Sequence, residues 1–224
     1  LLRNIFKKLR ECKKKAWVVL KKNMSQQILQ NFIDEAVRAF HSYKSLADKA
    51  MAQITDEQFF QAIDEESNPV AAIVKHIGGN LRSRWTEFLT TDGEKADRHR
   101  DSEFEPGKDT RQSLMELWET GWSTLFATLD SLRPDDLSAV VKIRGEDHTV
   151  VKALNRSLAH TASHVGQIVF LAKHLRAKEW KTLSIPRNKS ADFNSYMGKK
   201  DGATKPDPLD LHTDFRKETK EEKS

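Results

Sequence analysis

Apolar residues recur at helical spacing through most of this chain. Between Ser25 and Ile54 they fall at Ile28, Leu29, Phe32, Ile33, Ala36, Val37, Phe40, Leu46 and Met51, a stripe that predicts one long amphipathic helix. Thr55-Asp56-Glu57-Gln58 fits a capping box and opens a short helical piece through Ala62. A second long helix is expected to start with Asn68 as N-cap and Pro69 in the first helical position, and to reach about Leu89. Val70, Ile73, Val74, Ile77, Leu81, Trp85 and Phe88 form its core stripe. Gly78-Gly79 interrupts that helix at a cost of about 1 kcal/mol per glycine relative to alanine. Close approach of another helix, or of a ligand, is the physical reason to place glycine there.

Thr90 to Thr110 is polar and has no apolar period. A loop of about 20 residues in a compact domain is more often functional or mobile than incidental. A third helix is expected from Thr110 to Leu132, buried along Leu114, Leu117, Trp118, Gly121, Trp122, Leu125, Phe126 and Leu129, and closed by Pro134-Asp135-Asp136. Trp85, Trp118 and Trp122 read as core. The period then changes. Ala139–Ile143 and His148–Val151 flank Arg144-Gly145-Glu146-Asp147, which predicts a small β-hairpin that must pack on the helices. The last long helix runs from about Val150 to Lys178, with Leu154, Leu158, Thr161, Val165, Ile168 and Ala172 inward. The fold class is therefore all-α: a four-helix bundle with a small β-hairpin before the last helix and one extended crossover after the second. The bundle is assigned to residues 24–195. Residues 196–224 are a polar tail expected to be disordered.

Composition narrows the setting. No apolar run approaches the roughly 18 residues needed to span a membrane. The single cysteine, Cys12, allows no internal disulfide and no thiolate metal site in the body of the chain, so a reducing, cytoplasmic location is expected. The net charge of +5 belongs to one end. Residues 1–23 carry nine Lys/Arg against the single acid Glu11, which leaves the rest mildly acidic. A nucleic-acid role would rest on that segment alone and is not expected. The segment reads either as a basic amphipathic helix touching membrane or nucleic acid, or as an extension preceding a chain that begins at Met24; the second reading is preferred.

The candidate chemistry lies in Leu158-Ala159-His160-Thr161-Ala162-Ser163-His164-Val165-Gly166-Gln167. Four residues is just over one turn, so His160 and His164 stand one above the other on a single helix face. Two imidazoles so placed can share a metal ion, with a third ligand from another helix. Against this stands the ordinary reading, in which helical histidines are surface or core residues satisfied by hydrogen bonds. His76 lies beside the core stripe of the second helix, with Asn80 and Arg84 one and two turns further on. His174, ten residues past His164, is about 80° away around the helix. His41 and His148 are less well placed, and His99 is expected in solvent.

A helix-two histidine in Val74-Lys75-His76-Ile77, a hairpin, and then His160-Thr161-Ala162-Ser163-His164-Val165-Gly166-Gln167 resemble the DinB-like (YfiT-like) metalloenzyme superfamily. The passages from Gly79 to Lys95 and from Trp180 to Pro186 resemble an uncharacterised branch of it. The resemblance covers roughly residues 24–195. It implies a bundle with His76, His160 and His164 on one divalent ion, often a homodimer. Better-studied members of the superfamily are bacillithiol-dependent thiol transferases and a mycothiol-dependent isomerase.

Three neutral imidazoles leave an open coordination position on Zn²⁺; Ni²⁺ or Fe²⁺ would accept the same ligands. A thiol or a water there loses its proton near neutral pH. The expected function is S-transfer of a low-molecular-weight thiol to an electrophilic small-molecule substrate. The alternatives are a metal-dependent hydrolase and a non-catalytic metal- or ligand-binding bundle. Asn80, Arg84 and Gln167 are candidates to orient ligands or to hold an anionic substrate group, Arg84 suiting a carboxylate. Ordinary helix-surface hydrogen bonding is the plain alternative for these three.

Overall fold

The first proline of the chain is Pro69 and the first glycine Gly78, so nothing in the covalent chain breaks a helix before then. The computed structural model describes residues 2–105 and 107–198, with side chains from Trp17 onward except Val18. Its first element, α1 (Leu2–Met51), is one uninterrupted helix of 50 residues. The expected helix start near Ser25 is therefore not a structural boundary. The later long helices are much shorter, and among the described side chains of α1 the buried ones lie in its C-terminal half, from Ile33 through Ala36, Phe40, Ala47 and Ala50 to Met51. Ile28, expected in the core stripe, is exposed, as are Trp17, Leu20 and Met24.

Helix α2 (Asp56–Phe60) carries the expected capping box: Thr55 and Gln58 each satisfy the other's backbone N–H. Helix α3 (Val70–Trp85) starts one residue later than expected. Pro69 itself is the N-cap, and Asn68 makes no cap. The helix also ends before Leu89, and Glu87 follows in the left-handed region at φ 48°. Helix α4 (Arg111–Ser131) is capped by Thr110, whose hydroxyl accepts from the Ser113 N–H.

The hairpin is β1 (Val140–Ile143) and β2 (Glu146–Thr149), antiparallel, with Val140 opposite Thr149 and Ile143 opposite Glu146. Its turn is two residues, Arg144 (φ 55°) and Gly145 (φ 77°), where the sequence suggested four. Two positive φ values match the right-handed strand twist and let the strands continue to the turn. Val141, Ile143 and His148 point into the protein. Helix α5 (Val150–Arg176) follows with no loop, capped by the Thr149 hydroxyl. A further helix, α6 (Ser190–Gly198), lies where no element was expected, and it buries no residue. Of the tail expected to be disordered, Tyr196–Gly198 instead close α6, and the rest, from Lys199, falls outside the described residues.

The protein is mostly helical, with the small antiparallel hairpin preceding its last long helix. Helix α3 packs chiefly on α4, α1 on α5, and α3 meets α5 along a narrower seam. The α3–α4 contact is close because glycine faces glycine: a Cβ on Gly121 would stand 2.7 Å from the Gly78 carbonyl oxygen. Trp85, Trp118 and Trp122 are fully buried, and Phe40 meets Trp85 and Trp122 edge-on at 6.3 Å. Trp118 Nε1 donates to Asp48 Oδ1 at 2.9 Å, which satisfies its polar edge. Among the described residues no helix is long and apolar enough to cross a membrane.

Candidate metal centre

The seam between α3 and α5 brings two polar stripes together. On α3, His76, Asn80 and Arg84 follow one another at single-turn spacing. On α5, Arg156, His160 and His164 do the same. Each stripe flanks a buried one, Val74-Ile77-Leu81 on α3 and Leu154-Thr161-Val165 on α5, so the packing that holds the helices fixes the polar side chains at the seam.

His76, His160 and His164 each offer one ring nitrogen to a common point, and these atoms all lie within 4.8 Å of one another. His76 Nε2 and His160 Nε2 are 3.1 Å apart. Two ligands on a tetrahedral zinc at 2.0–2.1 Å sit about 3.3 Å apart, so the first pair is already at ligand spacing. The outer nitrogens are committed elsewhere. His76 Nδ1 donates to Glu103 Oε2 at 2.8 Å, and His164 Nδ1 donates to Gln167 Oε1 at 2.7 Å. Each bond places the proton on Nδ1 and leaves the Nε2 lone pair facing the cluster. That orientation is what a metal ligand requires, and the donor set fits a divalent transition ion.

The charge state agrees. Burial, then the neighbouring His164 and His76, push the His160 pKa down to about 3. Burial also lowers His164, against the opposing hydrogen bond to Gln167. Both rings are therefore neutral near pH 7 and free to ligate.

Glu103 comes from the polar loop after α3. It sits in a one-turn 3₁₀ segment, Asp101–Glu103, and is buried. Arg98 grips it twice, Nε to Oε1 and a terminal nitrogen to Oε2, both at 2.9 Å. Burial alone would raise its pKa, but the hydrogen bonds from His76 and Arg98 outweigh that and keep it a carboxylate. Phe104 covers the His76 ring, with centroids 4.9 Å apart. Gly79 makes the space: a Cβ there would stand 2.5 Å from Glu103 Oε1. The two mid-helix glycines thus have separate uses, Gly78 for helix α4 and Gly79 for the carboxylate behind His76.

A cavity of about 400 Å³ opens onto the histidines, and Asn80 and Arg84 line it as the spacing suggested. Gln167 lies outside that lining and acts through His164. The other histidines stand apart. His41 stacks on Phe126 at 3.8 Å, His148 is buried in the hairpin with Nδ1 on the Glu146 carbonyl, His174 lies against Phe170, and His99 is exposed. Sequence reasoning missed Glu103 and Arg98, and also Arg156, which shares the His160 stripe. The length of the polar loop and the unexplained Gly79 were the signals available for the first two.

A mostly helical protein whose three histidines, drawn from two helices, could hold a metal ion is the class that this fold and site define. Residues 27–189 match the profile of a family described as protein of unknown function (DUF1572), and the chain belongs to that family. The matched segment includes all three histidines, their hydrogen-bond partners and the cavity. No curated protein and no solved structure matches the chain.

Proposed function

We propose that this protein is a divalent-metal-dependent enzyme of the DinB-like type, its four long helices forming a bundle, and that it transfers a low-molecular-weight thiol to an electrophilic small molecule. The observation that carries this reading is the pairing of His76 with Glu103 and of His164 with Gln167, which aims both Nε2 atoms at one point beside a cavity. His76, His160 and His164 would hold the ion; zinc suits them best, and nickel or iron would also be accepted. When bound, such an ion supplies a Lewis-acid position that lowers the pKa of a thiol or water at neutral pH.

The chain's own residues set the rest. Glu103 and Gln167 fix two rings in the ligating tautomer. Phe104 and Ala153 give the cavity apolar wall. The lining has neither cysteine nor carboxylate, and its one hydroxyl, Ser157, is buried without a hydrogen-bond partner. A nucleophile supplied by a second small molecule accounts for such a lining better than one supplied by the protein.

The test is metal content by mass spectrometry of untagged protein and of His164→Ala, followed by consumption of an aromatic halide electrophile with a panel of small thiols. About one ion per chain, lost in the variant, with turnover that needs both metal and thiol, is the expected result. Turnover of ester or amide probes without thiol would replace S-transfer by hydrolysis. Absence of metal after reconstitution with Zn²⁺, Ni²⁺ and Fe²⁺ would end the reading.

A further inference from the structure

Five arginines line the cavity beside the histidines: Arg84, Arg98, Arg100, Arg144 and Arg156. Three of them have carboxylates. Arg98 is held by Glu103, Arg144 Nε lies 3.2 Å from Glu94, and Arg100 is 3.6 Å from Asp101. The other two have none within ion-pair distance among the described residues. Arg84 is only 9% exposed and its guanidinium makes no hydrogen bond there, though it offers five donors. The only partner of Arg156 there is His148 Nε2, at 3.3 Å. Burial, then the charge of Arg156, pulls the Arg84 pKa down to about 10, so the group still carries its charge at neutral pH. A buried guanidinium with no ion pair, beside a second cation, is costly. An anion between them removes that cost.

We propose that the cavity binds a substrate through an anionic group, a carboxylate or a phosphate, held between Arg84 and Arg156, with the substrate's reacting end at the three histidines. This rests on the metal-dependent reading of that site for the role of the far end, but not for the anion contact itself. The spacing sets the length of the substrate. Arg84 is eight residues past His76 on α3, and Arg156 is four residues before His160 on α5. At 1.5 Å per residue the anion lies roughly 6–12 Å from the histidines. Asn80, one turn from each end of the α3 stripe and with no side-chain hydrogen bond among the described residues, offers a neutral donor and acceptor partway along. Glu94 offsets part of the Arg84 charge from beyond ion-pair distance, but its carboxylate is held by Arg144 and Arg98, and Glu103 is held by Arg98, so neither pairs directly with Arg84 or Arg156.

The experiment is calorimetric titration of the full chain with inorganic phosphate and, separately, with succinate, in metal-free and Zn²⁺-treated protein. Arg84→Gln and Arg156→Gln are titrated alongside. Saturable binding of one anion by metal-free protein is expected, weakened roughly ten- to a hundredfold in each variant, the usual weight of a charge-assisted contact. Whichever anion binds more tightly identifies the group as phosphoryl or carboxyl. Because the metal-free protein is used, this result stands even if the histidines hold no ion. Thermal melting of each variant checks that it is folded, and Arg156→Gln, on an exposed side chain, keeps the test open if Arg84→Gln does not fold. Binding that needs Zn²⁺ and survives both substitutions would make the anion a ligand of the ion and overturn the proposal. So would the absence of binding of either anion in both forms of the protein.

Discussion

Replacing Gly79 with alanine separates the carboxylate behind His76 from the rest of the fold. Taken as a helix substitution, it should help by about 1 kcal/mol, since alanine is the better helix former. The new Cβ, however, would stand 2.5 Å from Glu103 Oε1, about 1 Å inside ordinary contact. That oxygen also accepts from Arg98 Nε, and the other oxygen of the same planar group accepts from His76 Nδ1. Moving one moves both. Each charge-assisted bond is worth about 1.5–3 kcal/mol, so weakening one of them more than cancels the propensity gain. The expected net loss is about 1–2 kcal/mol of stability. The larger effect falls on the metal. With its outer nitrogen released, His76 loses its fixed tautomer and orientation, and Zn²⁺ affinity should drop about 10- to 100-fold. Competition with a chromophoric chelator measures the affinity, and a thermal melt of the metal-free protein measures the stability. A folded Gly79→Ala protein that binds Zn²⁺ within about threefold of the parent would refute the role given to Glu103.

Gly121→Ala is the matching control: its Cβ would lie 2.7 Å from the backbone carbonyl of Gly78, which cannot swing aside, so stability should fall by about 1–3 kcal/mol with Zn²⁺ affinity unchanged in the folded fraction. A melting temperature equal to the parent's would mean that the α3–α4 contact is looser than described. A pH series on metal-free protein tests the neutral histidines. His160 is held at about 3, against 6.5 in an unfolded chain, so above pH 6.5 the ring is neutral in both states and stability is flat. Below 6.5 the unfolded chain takes up a proton that the folded one refuses, and stability falls, by at most about 1.4 kcal/mol per pH unit and by less because solvent screens the half-buried ring. His164, also lowered, adds in the same direction. His160→Gln should remove about one proton's worth of that slope between pH 6.5 and 5; an unchanged slope would show that His160 titrates normally.

Local pattern carried the long helices and two of the three clustered histidines. His160 and His164 are neighbours by helix geometry alone, so one segment reveals them. His76 needed only the recognition that it borders a core stripe. Glu103 could not be found that way. It reaches His76 because the loop after α3 folds back over its own helix, and no periodicity in residues 90–110 encodes that return. Arg98 was hidden for the same reason. Asn68 looked like the better cap, but Pro69, already extended at ψ 163°, took the position without a side-chain hydrogen bond. The hairpin turn was misjudged because arginine rarely adopts positive φ; at Arg144 the carboxylate of Asp92 accepts the backbone N–H and makes that conformation tolerable.

That same carboxylate joins two walls of the cavity. Asp92 accepts from Arg144 N at 2.8 Å and from Gly145 N at 2.7 Å, and the next residue, Gly93, donates to the Lys142 carbonyl at 2.9 Å. Segments 53 positions apart are thereby stitched into one rim. Lengthening either would unpick the other, so the rim tolerates changes of side chain along α3 and α5 better than changes of its own length. New specificities would arise at positions such as Asn80, Arg84 and Arg156, by substitution on a fixed frame.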